Sequence, residues 1–183
     1  MKTPPSANHH KIAAVLLDCG DTLVDESTQV WSETQIALSA DLIPGADEMV
    51  RELNRRGYPL GLVADGPTGT FRNILTQHGL FDLFSVRAIS GEVGVEKPDP
   101  AMFLTALKGL GIPKGDYGRV IMVGNHLARD IRGANALGLI SVWLDWAPRR
   151  PKVPADRAEQ PDHTIRLPLE LIELIDQLEQ DKA

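Results

Sequence analysis

The sequence predicts an α/β fold: a mostly parallel sheet of about five strands, with helices covering both faces. Three observations carry this. Short apolar runs recur along the chain and stop at polar or glycine residues: IAAVLL at 12–17, LGLVA at 60–64, VIMV at 120–123 and ISVWL at 140–144. Unbroken runs of this length mark strands buried on both faces. Segments with helical apolar spacing lie between them. Finally, polar residues gather where the runs end: Asp18, Asp65, and Asn125 with Asp130 behind it. In open parallel sheets, ligands bind beyond the carboxyl ends of the strands.

Element by element, the first strand at 12–17 stops at Asp18-Cys19-Gly20-Asp21. Residues 27–40 read as a helix, with Val30, Ile36, Ala37 and Leu38 as its apolar positions. After Pro44-Gly45 a second helix runs over 46–56, with Met49, Val50 and Leu53 at helical spacing and Gly57 as its stop. The strand at 60–64 leads into Asp65-Gly66-Pro67, and a helix over 69–78 ends at Gly79. A short strand covers 86–90. Asp99 and Pro100 then suit the N-cap and first position of a helix reaching about residue 110. The strand at 120–123 ends at Gly124-Asn125, a helix follows to Leu137, and Gly138 stops it. The strand at 140–144 precedes a loop over 147–162, rich in proline and charge, and an amphipathic helix over 169–178 closes the chain.

Composition bounds the function. At 183 residues, 43% of them apolar and 24% charged, the chain is expected to form a single domain over 1–183, with 1–11 a flexible arm. Its net charge of −6 makes it a poor nucleic-acid partner, because phosphate backbones require clustered Lys and Arg. Its apolar runs are too short to span a membrane, and the first ten residues do not read as a signal peptide. Cys19 is the only cysteine, so an intrachain disulfide is excluded and a cytoplasmic location is expected. His9-His10 reads as a solvated pair rather than a metal tract.

The strand-end residues admit both plain and chemical readings. Asp18 is either a turn aspartate or a nucleophile and metal ligand. Gly20 and the tight turn after it allow a ligand to approach the backbone. Lys97, held between Glu96 and Pro98, is a surface cation or a fixed charge that neutralises a carboxylate and a substrate anion. Asn125 and Asp130 are a helix cap and a first-turn acid, or two oxygen donors facing Asp18 and suited to Mg²⁺. His126 is a helix-start residue or a proton shuttle. Trp143 and Trp146 read as core packing rather than a substrate mouth.

Taken together, four segments resemble the motifs of the haloacid dehalogenase superfamily, chiefly its phosphatases. They are Asp18-Cys19-Gly20-Asp21-Thr22-Leu23, Leu62-Val63-Ala64-Asp65-Gly66-Pro67, Lys97-Pro98-Asp99-Pro100 and the stretch from Gly124-Asn125 to Asp130. The resemblance covers about residues 12–146. It implies a three-layer, Rossmann-like core and an aspartyl-phosphate formed on Asp18. It implies Mg²⁺ held by Asp18, the Gly20 carbonyl, Asn125 and Asp130, with Lys97 steadying the charges and Asp130 orienting Lys97 or bound water. Ala64, Asp65 and Gly66 fall at the substrate-binding second motif. Members with small substrates often insert a cap domain between the first two motifs. Here 24–45 is at most a rudimentary cap or linker, which implies an open site, a large phosphorylated substrate, or cover from a second subunit.

Three positions depart from the phosphatase pattern. Gly20 stands where the resemblance implies a second aspartate that acts as general acid and base, and Asp21, its neighbour, is not a simple replacement. Ala64 stands where a Ser or Thr hydroxyl is usual, and Asn125 where an aspartate is usual. A Mg²⁺-dependent phosphohydrolase of reduced activity is the expectation. A binding or regulatory domain that keeps the fold but turns over little is the alternative. A dehalogenase is a third reading, disfavoured by the Asn125-to-Asp130 spacing and the short insert.

Overall fold

The computed structural model describes residues 10–180. In chain order the strands and α-helices are β1 (Ala14–Leu17), β2 (Val30–Trp31), β3 (Ala37–Ser39), α1 (Ala46–Arg55), β4 (Leu60–Ala64), α2 (Thr68–Gln77), β5 (Val86–Ile89), α3 (Ser90–Val93), α4 (Pro100–Gly109), β6 (Val120–Gly124), α5 (Arg132–Leu137), β7 (Ile140–Leu144), β8 (His163–Ile165) and α6 (Glu170–Gln180). The expected arm over 1–11, with His9, lies outside the described residues except for His10 and Lys11. His10 bonds the Arg56 carbonyl and packs on the Tyr58 ring, centroids 4.3 Å apart.

Six strands form one parallel sheet in the order β5-β4-β1-β6-β7-β8. Strand side chains alternate faces, and β1 shows it. Val15 and Leu17 join Met49, Leu53, Ile74, Leu75 and Ile175 on one side. Ala14 and Leu16 join Phe103, Ala106, Leu107 and Ala134 on the other. Helices α1, α2 and α6 therefore cover one face and α4 and α5 the other, giving the expected three layers. The chain leaves β1 towards β4 and returns to its other side with β6, so the connections diverge around β1. Its carboxyl end is the crevice in which such sheets bind ligands.

The local signals act as predicted at several ends. Asp99 caps α4 by accepting the Ala101 amide at 2.9 Å, with Pro100 at the first turn. Gly138 closes α5 at φ 72°, a conformation that disfavours any side chain.

The structure corrects one expectation and adds detail to three others. Residues 27–40 are not a helix: Glu26–Thr28 is a 3₁₀ turn, and β2 and β3 form an antiparallel hairpin. The hairpin wins because α2 supplies its partners. Thr70 Oγ1 accepts the Ala37 amide at 3.0 Å, and Asn73 Nδ2 donates to the Ala37 carbonyl at 3.1 Å. The sheet has six strands rather than about five. Strand β8 is three residues long and largely polar, so it carries no apolar run, and it exists through pairing with β7. The helix after Asn125 opens as a π-helical turn over Leu127–Ile131, which lets the amides of both Asp130 and Ile131 reach the His126 carbonyl. The loop over 147–162 contains a 3₁₀ turn at Arg157–Glu159.

Candidate active site

Three strand ends and one loop bring the expected residues together. Asp18 follows β1, Asp65 follows β4, Asn125 follows β6, and Lys97 enters from the loop before α4. Lys97 is almost fully buried, and its Nζ lies 2.7 Å from Asp18 Oδ1, 2.7 Å from Asp130 Oδ1 and 2.8 Å from the Val63 carbonyl. All three ammonium hydrogens thus have acceptors. Burial by itself would pull the Lys97 pKa down, but Asp130, Asp18 and Asp65 outweigh it and push the pKa up. The lysine stays charged. Thr22 Oγ1 donates to the other Asp18 oxygen at 3.1 Å.

Asp130 is buried with both oxygens engaged, Oδ1 by Lys97 and Oδ2 by the His126 amide at 2.9 Å. Burial pushes its pKa up to about 6 against the pull of Lys97, and the charge on Asp18 adds to the rise. This geometry makes Asp130 the partner of Lys97. Gly124 permits the arrangement, because a Cβ there would overlap the Asp130 carboxyl group.

The Gly20 carbonyl accepts Asn125 Nδ2 at 2.8 Å. Asn125 therefore ties the first loop to the end of β6 instead of capping the following helix, and Trp143 Nε1 holds its backbone carbonyl at 3.0 Å. Asp18, Gly20 and Asn125 offer oxygen donors only, a set suited to a hard cation. A cation there would take over the Gly20 carbonyl, with Asn125 presenting its amide oxygen in place of its nitrogen.

Asp65 faces inward through both oxygens: Oδ1 accepts the Lys97 backbone amide at 3.0 Å, and Oδ2 accepts Arg129 Nη1 at 3.2 Å. Gly66 donates its amide to Ser90 Oγ at 2.8 Å and has φ 144°, which a side chain would strain. Ala64 is fully buried among core residues at the end of β4. Of the second motif, Asp65 and Gly66 border the site and Ala64 does not.

These residues surround a cavity of about 290 Å³. Its walls include Asp18, Asp65, Asn125 and His126, together with Glu26 and Trp31, two residues that sequence reasoning did not single out. His126 Nδ1 is buried with no hydrogen-bond partner among the described residues, and burial, with the Arg129 charge, lowers the His126 pKa. Trp143 packs on Leu127 and Ile131, and Trp146 lies against the core, as expected.

Asp21 is fully buried at φ 52° and paired through both oxygens with Arg149 and Arg150. Arg150 also pairs with Glu26. The loop after β7 thereby locks the 3₁₀ turn that carries Glu26 against the site. No local pattern marks this contact, since its partners stand more than a hundred residues apart.

Comparison with known proteins agrees with this architecture. The chain matches the model of the haloacid dehalogenase-like hydrolases over residues 28–138, a range that contains Lys97, Asn125 and Asp130 and begins after Asp18. The chain belongs to the haloacid dehalogenase-like hydrolase family. It is 38% identical over 121 residues to a phosphoserine phosphatase from Thermus thermophilus, covering 66% of this chain and 46% of that one. It is 32% identical over 141 residues to a glyceraldehyde 3-phosphate phosphatase from Methanopyrus kandleri, covering 77% and 58%. Among haloacid dehalogenase-like folds of known structure, a phosphatase from Thermococcus onnurineus superposes with a TM-score of 0.64 at 29% identity, over 74% of this chain and 59% of that one. The chain spans about half the length of the curated relatives it matches.

Proposed function

We propose that this protein is a Mg²⁺-dependent phosphohydrolase that works through an aspartyl-phosphate on Asp18. The observation that carries the reading is the buried Lys97 ammonium, 2.7 Å from both Asp18 and Asp130. It orients the Asp18 carboxyl group beside a cavity, and it brings a fixed positive charge to the phosphoryl group. Phosphoryl transfer is governed mainly by such positioning and charge.

An Asp18 oxygen bonds to phosphorus as the ester P–O bond breaks. Water then bonds to phosphorus as the Asp18–phosphorus bond breaks, which releases phosphate and restores the carboxylate. Lys97 compensates charge through both steps, Asp130 holds Lys97, and Asp65 fixes the Lys97 backbone. A bound Mg²⁺ supplies further neutralisation of the phosphoryl oxygens, and Asp18, the Gly20 carbonyl and Asn125 are the residues that would hold it.

Segment 24–45 is the rudimentary cap in this reading. It walls the cavity with Glu26 and Trp31, so the substrate class is a small phosphate ester rather than the large one that a short insert suggests. The phosphatase names of the relatives support the same class. The protein acts in the cytoplasm, as one domain, alone or as a homo-oligomer. The alternative, a binding domain, draws support from one feature: the Asn125 amide already occupies the Gly20 carbonyl.

The test is phosphate release from an aryl and an acyl phosphate, with Mg²⁺ and with chelator, beside Asp18→Asn. Release that needs both Mg²⁺ and Asp18 is expected. No release above the Asp18→Asn background in folded protein would favour the binding domain.

A further inference from the structure

Hydrolysis of an unactivated ester needs a proton for the leaving oxygen. The carboxyl groups lining the cavity are Asp18, Glu26, Asp65 and Asp130. Asp18 is the nucleophile. Asp130 is closed off by Lys97 and the His126 amide, and Asp65 by the Lys97 amide and Arg129. Glu26 differs. Its Oε2 pairs with Arg150, while among the described residues no hydrogen bond engages its Oε1.

The location of Oε1 is decisive. A Cβ built on Gly20 would overlap Glu26 Oε1 and lie 2.7 Å from Cδ and 3.0 Å from Cγ, and its three nearest neighbours all belong to Glu26. The Glu26 carboxyl group therefore sits where the Cβ of a side chain at position 20 would lie, in the loop that carries the nucleophile. Arg150 anchors it there through Oε2.

We propose that Glu26 is the general acid and base of this site, delivering from the 3₁₀ turn the carboxyl group that Gly20 lacks. The inference rests on the phosphohydrolase reading. In the first step protonated Glu26 gives its proton to the leaving oxygen as the P–O bond breaks and the Asp18–phosphorus bond forms. In the second, the Glu26 carboxylate takes a proton from water as the water oxygen bonds to phosphorus and Asp18 departs. Ester and water go in, alcohol and phosphate come out, and Glu26 ends protonated as it began.

The role predicts a dependence on leaving group and a relocation rescue. Wild type, Asp18→Asn, Glu26→Gln, Glu26→Ala and the double variant Gly20→Asp/Glu26→Ala are compared on glycerol 3-phosphate and on acetyl phosphate, with Mg²⁺. Glu26→Gln should lower kcat on glycerol 3-phosphate by about 10² to 10⁴, the usual range for general acid–base catalysis. Acetyl phosphate, whose leaving group needs no proton, should lose less than about tenfold by the same logic. The backbone at Gly20 is not left-handed, and Glu26→Ala removes the three nearest atoms that a Cβ there would meet. The double variant should recover activity on the alkyl ester that Glu26→Ala has lost. No loss in Glu26→Gln, equal loss on both substrates, or no recovery in a folded double variant would overturn the role of Glu26 while leaving the phosphohydrolase reading intact. Absence of Asp18-dependent release by wild type from either substrate would overturn both.

Discussion

Asn125 donates its side-chain amide to the backbone carbonyl of Gly20 at 2.8 Å, joining the end of β6 to the loop that follows β1. The bond uses one of the oxygens a cation would need. Asn125→Asp replaces the donor by an acceptor, so two oxygens face each other. Metal-free protein should lose about 1–3 kcal/mol, the cost of an unpaired buried polar group. Mg²⁺ binding should tighten, because such sites depend on one or two carboxylates. Thermal melts in chelator and across a Mg²⁺ titration read both effects: a lower Tm without metal and a larger rise with it. Equal Mg²⁺ responses in variant and wild type would remove Asn125 from the cation site.

Lys97 lies between two buried carboxylates, so its loss acts on stability as well as chemistry. Lys97→Met leaves Asp18 and Asp130 facing each other without a cation. Breaking a buried pair of this kind typically costs about 3–5 kcal/mol. Urea denaturation at neutral pH should show a loss of that order, together with loss of phosphate release. A variant as stable as wild type would mean that the carboxylates are not held by Lys97.

Trp31 is half exposed and forms part of the cavity wall. Trp31→Ala should raise KM about fivefold for a small ester and leave kcat near wild type, as expected for about 1 kcal/mol of contact equal in ground and transition states. A fall in kcat with unchanged KM would place Trp31 in the chemistry instead.

Glu179 fastens the start of the described chain to α6. It accepts the Lys11 amide at 2.7 Å, the Ile12 amide at 3.1 Å and the Tyr58 hydroxyl at 3.0 Å. Burial works to raise its pKa, but the Lys11 and Ile12 amides, Tyr58 and His10 outweigh it and hold the carboxyl below its ordinary value. A lowered folded-state pKa adds stability that is present above the unfolded value, near pH 4.5, and lost as pH falls through the folded value. Glu179→Gln should therefore cost about 1 kcal/mol at pH 7, or roughly 2–4 °C in Tm, with the difference shrinking in acid. A constant difference from pH 7 to pH 3 would contradict this assignment.

The legible parts of the fold are those specified by local chemistry. Strand β4 and the Asp99-Pro100 start of α4 match the sequence reading, since a buried apolar run and a capping aspartate act within a few residues. Residues 27–40 show the opposite. Their apolar positions suit a helix, yet Thr70 and Asn73 on α2 bind the Ala37 backbone and fix an edge of the hairpin. Strand β8 likewise takes its conformation from β7.

The α/β sheet and the residues at its carboxyl edge, Asp18, Asp65 and Asn125 with Asp130 behind it, are legible from the sequence alone. Strand polarity and run length force such residues to one edge, wherever they stand in the chain. How they are used depends on contacts that form in three dimensions. The tertiary structure set both Asp130 oxygens on Lys97 and a backbone amide, sank Ala64 into the core, and neutralised Asp21 with Arg149 and Arg150. It also placed the Glu26 carboxyl group in the space beside Gly20. These are contacts between side chains far apart in sequence, and their geometry follows from packing and charge in three dimensions, which no periodicity along the chain encodes.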